Sequence, residues 1–188
     1  MGMKRIYAIR HCQAEGQEPH APLTNEGLKQ AEILRGWLKD ESIQRIVSSP
    51  FKRAVQTVEP LSRQLNMPIE KDQRLEERVL STKYYFDWQE KLERTFADMD
   101  LAFEGGESSR QAMERGVKVV EDIFSRKEKG TVLVTHGGLM SLLLSYYTGD
   151  FGFEGWKNLR NPDVYVLTRL GSKTFVERMD LGTESISE

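Results

Sequence analysis

Thr131-Val132-Leu133-Val134-Thr135-His136-Gly137-Gly138 is the stretch on which the reading of this chain turns. The β-branched and apolar run from Thr131 to Thr135 predicts a strand buried on both faces, the kind that lies inside a parallel sheet. It ends on a histidine and two glycines, and Leu139 to Tyr147 then continues as an apolar helix. In α/β sheets ligands collect at the carboxyl ends of such strands, where a following helix also presents free amide donors.

The same order of elements recurs toward the amino terminus. Ile6-Tyr7-Ala8-Ile9 reads as a short parallel strand that closes on Arg10 and His11. Thr24 is suited to cap a helix running to about Asp40, with Leu28, Ala31, Leu34 and Leu38 on its buried face. Arg45-Ile46-Val47 predicts a second strand, and Ser49-Pro50 a helix start with proline at the first helical position; Ala54, Val58, Leu61 and Leu65 mark the inner face. Pro68-Ile69-Glu70 is a further short strand.

From Asp72 to about Glu104 the pattern turns charged and aromatic, which reads as an inserted cap, and Gly105-Gly106-Glu107-Ser108 breaks the chain before a helix carrying Met113, Val117, Val120 and Phe124. Val164 to Leu167 and Thr174 to Val176 flank Gly171-Ser172-Lys173 as a terminal hairpin, so the sheet is expected to be mixed. Thr183 to Glu188 is polar and expected to fray. The expected fold is one α/β domain over residues 1–188. It is a three-layer sandwich with a mostly parallel central sheet, helices on both faces, and a small cap inserted at about 78–104.

Composition narrows the function classes. With 38% hydrophobic and 30% charged residues among 188, the chain has ordinary globular makeup. A net charge of -2 offers no bulk attraction to nucleic acid or to an anionic membrane. Cys12 is the only cysteine, which excludes an internal disulfide and a cysteine zinc site and suits a reducing compartment. No long apolar run marks the amino terminus as a leader or span, so a cytoplasmic location is the default expectation.

Any anion site must then be local. His11 and His136 both fall at expected strand ends, Arg10 stands beside the first, and Arg53 lies within a turn of Ser48-Ser49-Pro50. A lone histidine at a strand end is more often structural, but two beside arginines point to chemistry. Two guanidiniums and two imidazoles repel one another when empty and suit a dianionic phosphate, which arginine grips through paired hydrogen bonds. His20, next to Pro19 in a polar loop, is expected to be solvated. His11-Cys12 imitates the start of a cysteine phosphatase loop, but the required arginine six positions on is Glu18.

In order, Arg10-His11, Pro22-Leu23-Thr24-x-x-Gly27, Ser48-Ser49-Pro50-x-x-Arg53-Ala54, Gly106-Glu107-Ser108 and Thr135-His136-Gly137-Gly138 resemble the histidine phosphatase superfamily, the phosphoglycerate-mutase-like fold. The resemblance implies a phosphomonoester hydrolase in which His11 is phosphorylated, with Arg10, Arg53 and His136 neutralising the phosphoryl oxygens. It implies no metal and no cofactor. It gives proton transfer to Glu77, with adjacent Glu76 competing, and makes the Gly137 amide a phosphate contact. Gln17 is the residue nearest in position to an asparagine usual in the family, and Cys12 stands where glycine is usual. A small phosphorylated metabolite is the implied partner. Only about thirty residues separate Glu77 from Gly106, which favours a phosphatase over a mutase with its larger cap. A mutase-type phosphotransferase and a non-catalytic phosphate-binding module are the alternatives. The aromatic group from Tyr84 to Trp88 either lines the substrate pocket or packs the cap.

Overall fold

A computed structural model describes residues 2–182; the expected fraying of residues 183–188 lies outside the described residues. In chain order the elements are β1 (Lys4–Arg10), α1 (Asn25–Leu38), β2 (Arg45–Ser48), α2 (Lys52–Leu65), β3 (Ile69–Lys71) and a single 3-10 turn at Gln73–Leu75. There follow α3 (Trp88–Ala97), α4 (Ser109–Ser125), β4 (Gly130–Thr135), α5 (Gly137–Thr148), α6 (Phe153–Lys157), β5 (Asp163–Leu170) and β6 (Lys173–Arg178).

The six strands form one sheet in the order β3-β2-β4-β1-β5-β6. β1 runs parallel to β4, β4 to β2 and β2 to β3, while β5 is antiparallel to both β1 and β6. The sheet is therefore mixed, four parallel strands running in from the β3 edge and the antiparallel β5 and β6 closing the other edge. Because side chains alternate across a strand, β1 sends Ile6 and Ala8 to one face, where α4 and α5 pack, and Tyr7 and Ile9 to the other, where α1 and α2 pack. Every residue of β4 is buried, as expected for a strand covered on both faces. Leu133 is 0% exposed, and removing its side chain to alanine would cost roughly 2–5 kcal/mol.

Four expectations about these elements are corrected or refined. Leu28 is 45% exposed, because the contact line of α1 runs through Gly27, Ala31, Leu34 and Leu38 and leaves Leu28 rotated outward. α2 begins at Lys52, so Ser49 and Pro50 belong to the connection and Phe51 takes the cap position. On α4 the innermost positions are Ala112, Gly116, Val119, Val120, Ile123 and Phe124, with Met113 and Val117 only half-buried. The terminal hairpin turns on Gly171 and Ser172, and Lys173 already belongs to β6.

Between the 3-10 turn and α4 the chain makes an excursion that returns to its starting point. The Glu107 amide donates to the Val79 carbonyl at 2.8 Å and the Thr82 amide to the Glu104 carbonyl at 3.0 Å. A Cβ on Gly106 would lie 2.1 Å from the Leu80 carbonyl oxygen, so only glycine permits this approach. Ser108 then caps α4 in a reciprocal pair with Gln111. No helix among the described residues is long and apolar enough to cross a membrane.

Candidate active site

Since β2, β4 and β1 are neighbours and parallel, their carboxyl ends deliver the residues that follow them to one place. Sheet bonds carry on past the strands: the His11 amide donates to the Thr135 carbonyl at 3.1 Å, and the Ser49 amide to Val134 at 2.9 Å. His11 and His136 thereby meet edge to face, with ring centroids 5.1 Å apart and planes at 62°. At that separation the rings touch. A tetrahedral anion has no room between them.

The wiring of His11 fixes its tautomer. Its Nδ1 is 2.7 Å from the Cys12 carbonyl oxygen, which can only accept, so Nδ1 carries the proton and donates it. Nε2 is left with its lone pair and receives the Arg53 Nε–H at 3.2 Å. Burial, reinforced by the charges of Arg53 and Arg10 and opposed by the bond to Cys12, lowers the His11 pKa to about 4. The ring is neutral at pH 7. His136 is also held well below its ordinary value, first by burial and then by His11 and the arginines. Its Nε2 meets Ser49 Oγ at 2.7 Å and its Nδ1 is buried with no partner.

The arginines are fixed by backbone carbonyls. Arg53, on the first turn of α2 and 1% exposed, donates from Nη1 to the Glu18 carbonyl at 2.9 Å and lies over the Phe51 ring at 5.1 Å. Arg10 donates from Nη1 to the Leu159 carbonyl at 2.9 Å. Its Nε is buried without a partner, beside Gly137. Burial pulls both guanidiniums below their ordinary range while the Glu77 charge offsets part of that shift. Buried donors without acceptors are costly in an empty site and useful in one that takes an oxyanion.

Glu77 reaches the start of α5. Its carboxylate accepts from the Gly138 and Leu139 amides, each at 2.9 Å, and from the Arg78 amide at 2.7 Å. Any Cβ on Gly138 would come within 2.6 Å of Glu77 Oε1, so a glycine is needed there. The Gly137 amide is not among those that Glu77 takes. Of the two adjacent carboxylates, Glu77 borders the cavity described below and Glu76 does not. The segment carrying Glu77 is clamped by Arg115, which donates from Nη1 to the Arg74 carbonyl at 2.7 Å and the Glu76 carbonyl at 2.9 Å. Arg115 also pairs with Glu107 through bonds of 2.7 and 2.8 Å.

A cavity of about 430 Å³ opens over Arg10, Gly137, Gly138 and Glu77, with Gln17, Arg78, Leu80, Trp88, Leu92 and Trp156 as its other walls. His11, Arg53 and His136, at 6%, 1% and 0% exposure, are not part of that lining. Gln17 is exposed at the rim, and His20 is exposed as expected. Trp88 faces this cavity, whereas Tyr84 and Phe86 are both 89% exposed and neither line it nor pack the body.

Cys12 is 0% exposed against Leu23 and Ala31, and its amide donates to Thr57 Oγ1 at 3.0 Å. Among the described residues Asn66 is the only non-glycine with positive φ, so Cys12 occupies backbone that any residue can adopt. Burial pushes its thiol up to about 12.

Sequence reasoning passed over several residues that brace the site. Ser49 was visible in the Ser-Ser-Pro motif but carried no assigned contact. Asn161 donates from Nδ2 to the His11 carbonyl at 2.8 Å across a long sequence separation, and Arg115 sits mid-helix; neither announces itself by pattern.

Comparison with known proteins agrees with this geometry. The sequence profile of the histidine phosphatase superfamily (branch 1) matches residues 6–181. The chain is 27% identical over 172 residues, 84% of each sequence, to "Putative phosphoserine phosphatase 2" of Hydrogenobacter thermophilus. It is 33% identical to the phosphohistidine phosphatase SixA of Escherichia coli over 69 residues, 34% of this chain and 43% of that one. Among solved structures, mycobacterial glucosyl-3-phosphoglycerate phosphatase superposes with a TM-score of 0.75 at 22% identity, covering 94% of this chain and 97% of that one. Phosphoglycerate mutase from Bacillus anthracis does so with 0.76 at 16%, covering 96% and 94%. These last two likenesses speak for the fold, and the profile, which spans nearly the whole chain, for ancestry: the protein belongs to branch 1 of the histidine phosphatase superfamily.

Proposed function

We propose that this enzyme hydrolyses small phosphomonoesters through a phosphohistidine formed on His11 Nε2, without a metal ion. The observation that carries the reading is the fixed tautomer: a carbonyl holds the proton on Nδ1, and the nitrogen left bare faces an arginine. In the first step Nε2 attacks phosphorus, the N–P bond forms and the P–O bond to the leaving alcohol breaks. The positive charge that appears on the ring is spread toward the Cys12 carbonyl. Arg53, Arg10, His136 Nδ1 and the Gly137 amide supply donors for the phosphoryl oxygens, a task a divalent ion performs in kinases. Arg53 gives up its long bond to His11 as the phosphoryl group arrives.

Glu77 manages the proton. It delivers one to the departing oxygen and recovers it from the water that resolves the intermediate, releasing phosphate and restoring His11. Water as the acceptor, rather than a second substrate hydroxyl, is supported by the short excursion over the site and by the phosphatases among the relatives. Gln17 is assigned a contact to the substrate at the rim. The lone, buried thiol suits a reducing setting such as the cytoplasm.

The test is phosphate release from 4-nitrophenyl phosphate in excess chelator, with rapid-quench detection of an acid-labile, base-stable phosphoryl group on His11. Chelator-sensitive turnover would remove the metal-free mechanism. Turnover with no such adduct, or turnover that survives His11→Ala, would remove the covalent one.

A further inference from the structure

The cavity above the proposed phosphoryl site has two chemically different ends. One carries Arg10, Gly137 and Glu77; the other is closed by Leu80, Trp88, Leu92 and Trp156. The indoles of Trp88 and Trp156 meet edge to face at 6.1 Å and 85°. Behind them Phe153 stacks on Trp156 at 5.4 Å and 14°, and Phe96 packs on Phe153 at 6.0 Å, so the wall is braced by aromatic contact between α3 and α6. A rigid apolar wall of this kind rewards a flat apolar group.

Arg78, also in the cavity wall, is 7% exposed and is tied to the fold by two bonds, Nη1 to Thr95 Oγ1 at 2.8 Å and Nη2 to the Glu107 carbonyl at 3.2 Å, while its buried Nε has no partner.

Resting on the function proposed above, we infer that the substrate's leaving group is an aromatic alcohol seated against Trp88 and Trp156. Comparing turnover alone would mislead, because an aryl oxide leaves more readily than an alkoxide whatever the protein does.

Binding to the His11→Ala protein, which cannot be phosphorylated at that position, separates the two effects. In titration calorimetry 1-naphthyl phosphate is expected to bind that variant at least tenfold more tightly than phosphoserine or glycerol 2-phosphate. Adding Trp88→Ala is expected to weaken 1-naphthyl phosphate at least fivefold and phosphoserine less than twofold; Trp88 is 42% exposed, so its removal spares the core. Equal affinities, tighter phosphoserine, or equal losses on removing Trp88 would overturn the inference. Absence of turnover by the wild-type enzyme would strike the hydrolase reading and leave this binding comparison intact.

Discussion

The turn after β1 and the turn after β4 each end a buried parallel strand in a histidine, yet the two imidazoles are wired in opposite ways. His11 has both nitrogens engaged, one by a carbonyl and one by a guanidinium, so its protonation pattern is set by the backbone. The His136 ring hydrogen-bonds only a serine hydroxyl, which can give or take the proton, and keeps a buried nitrogen without a partner. Equal position in a fold thus does not mean equal chemistry. In the proposed mechanism the first ring attacks and the second solvates.

That contrast can be broken most directly by removing each ring in turn. His11→Ala should lower kcat for 4-nitrophenyl phosphate by about 10⁴-fold or more, as expected when a covalent nucleophile is lost. His136→Ala should cost only about 10²–10³-fold, the scale of losing one oxyanion donor. Equal losses in steady-state assays would erase the division of labour. Next in size is Arg53→Lys, which keeps the charge but not the fork that spans His11 and the Glu18 carbonyl; kcat/KM should fall roughly 10²-fold or more.

Protonation sharpens the same comparison through stability. His11 is lowered from 6.5 to about 4, so between those values the unfolded chain binds a proton that the folded one refuses. Stability is fully present above pH 6.5 and is lost as pH falls toward 4, by about 3 kcal/mol from this group. Urea midpoints should therefore drop between pH 7 and pH 4.5, and drop less in His11→Gln. An equal drop in both proteins would assign the effect elsewhere.

The smallest change touches neither ring. Cys12→Gly removes a buried side chain and frees the backbone, at a cost of roughly 1–2 kcal/mol in unfolding free energy, with kcat within about threefold of wild type. The native thiol, pushed up to about 12 by burial, should resist iodoacetamide at pH 8 until denaturant is added.

Much of this was legible because the sheet obeys short-range rules. Strands such as Thr131 to Thr135 declare themselves by composition, and consecutive strand ends bring His11, Ser49 and His136 together once the order of strands is set. What escaped reading depended on choices between neighbours. Gly27 rather than Leu28 is turned inward because a residue without a side chain permits the close approach of the Gln13 carbonyl, which hydropathy alone cannot rank. Ser49-Pro50 looked like a helix start, but the Ser49 amide is still bonded to β4 and the chain cannot coil before Phe51. Glu77 and Glu76 became distinguishable only through the amides of α5, and Arg115 only through carbonyls about forty residues away in sequence.

The hydrogen bond between Val79 and Glu107 makes the intervening stretch a cassette with adjacent entry and exit. Swapping it for a segment of another length would leave the distance to be closed unchanged, so the entropic cost would grow only with the logarithm of the insert. Directed evolution could therefore randomise and resize the exposed part of the stretch around Lys83 to Phe86 in one library and ask for new substrates, while Thr95 keeps its bond to Arg78 and the floor beneath stays as it is.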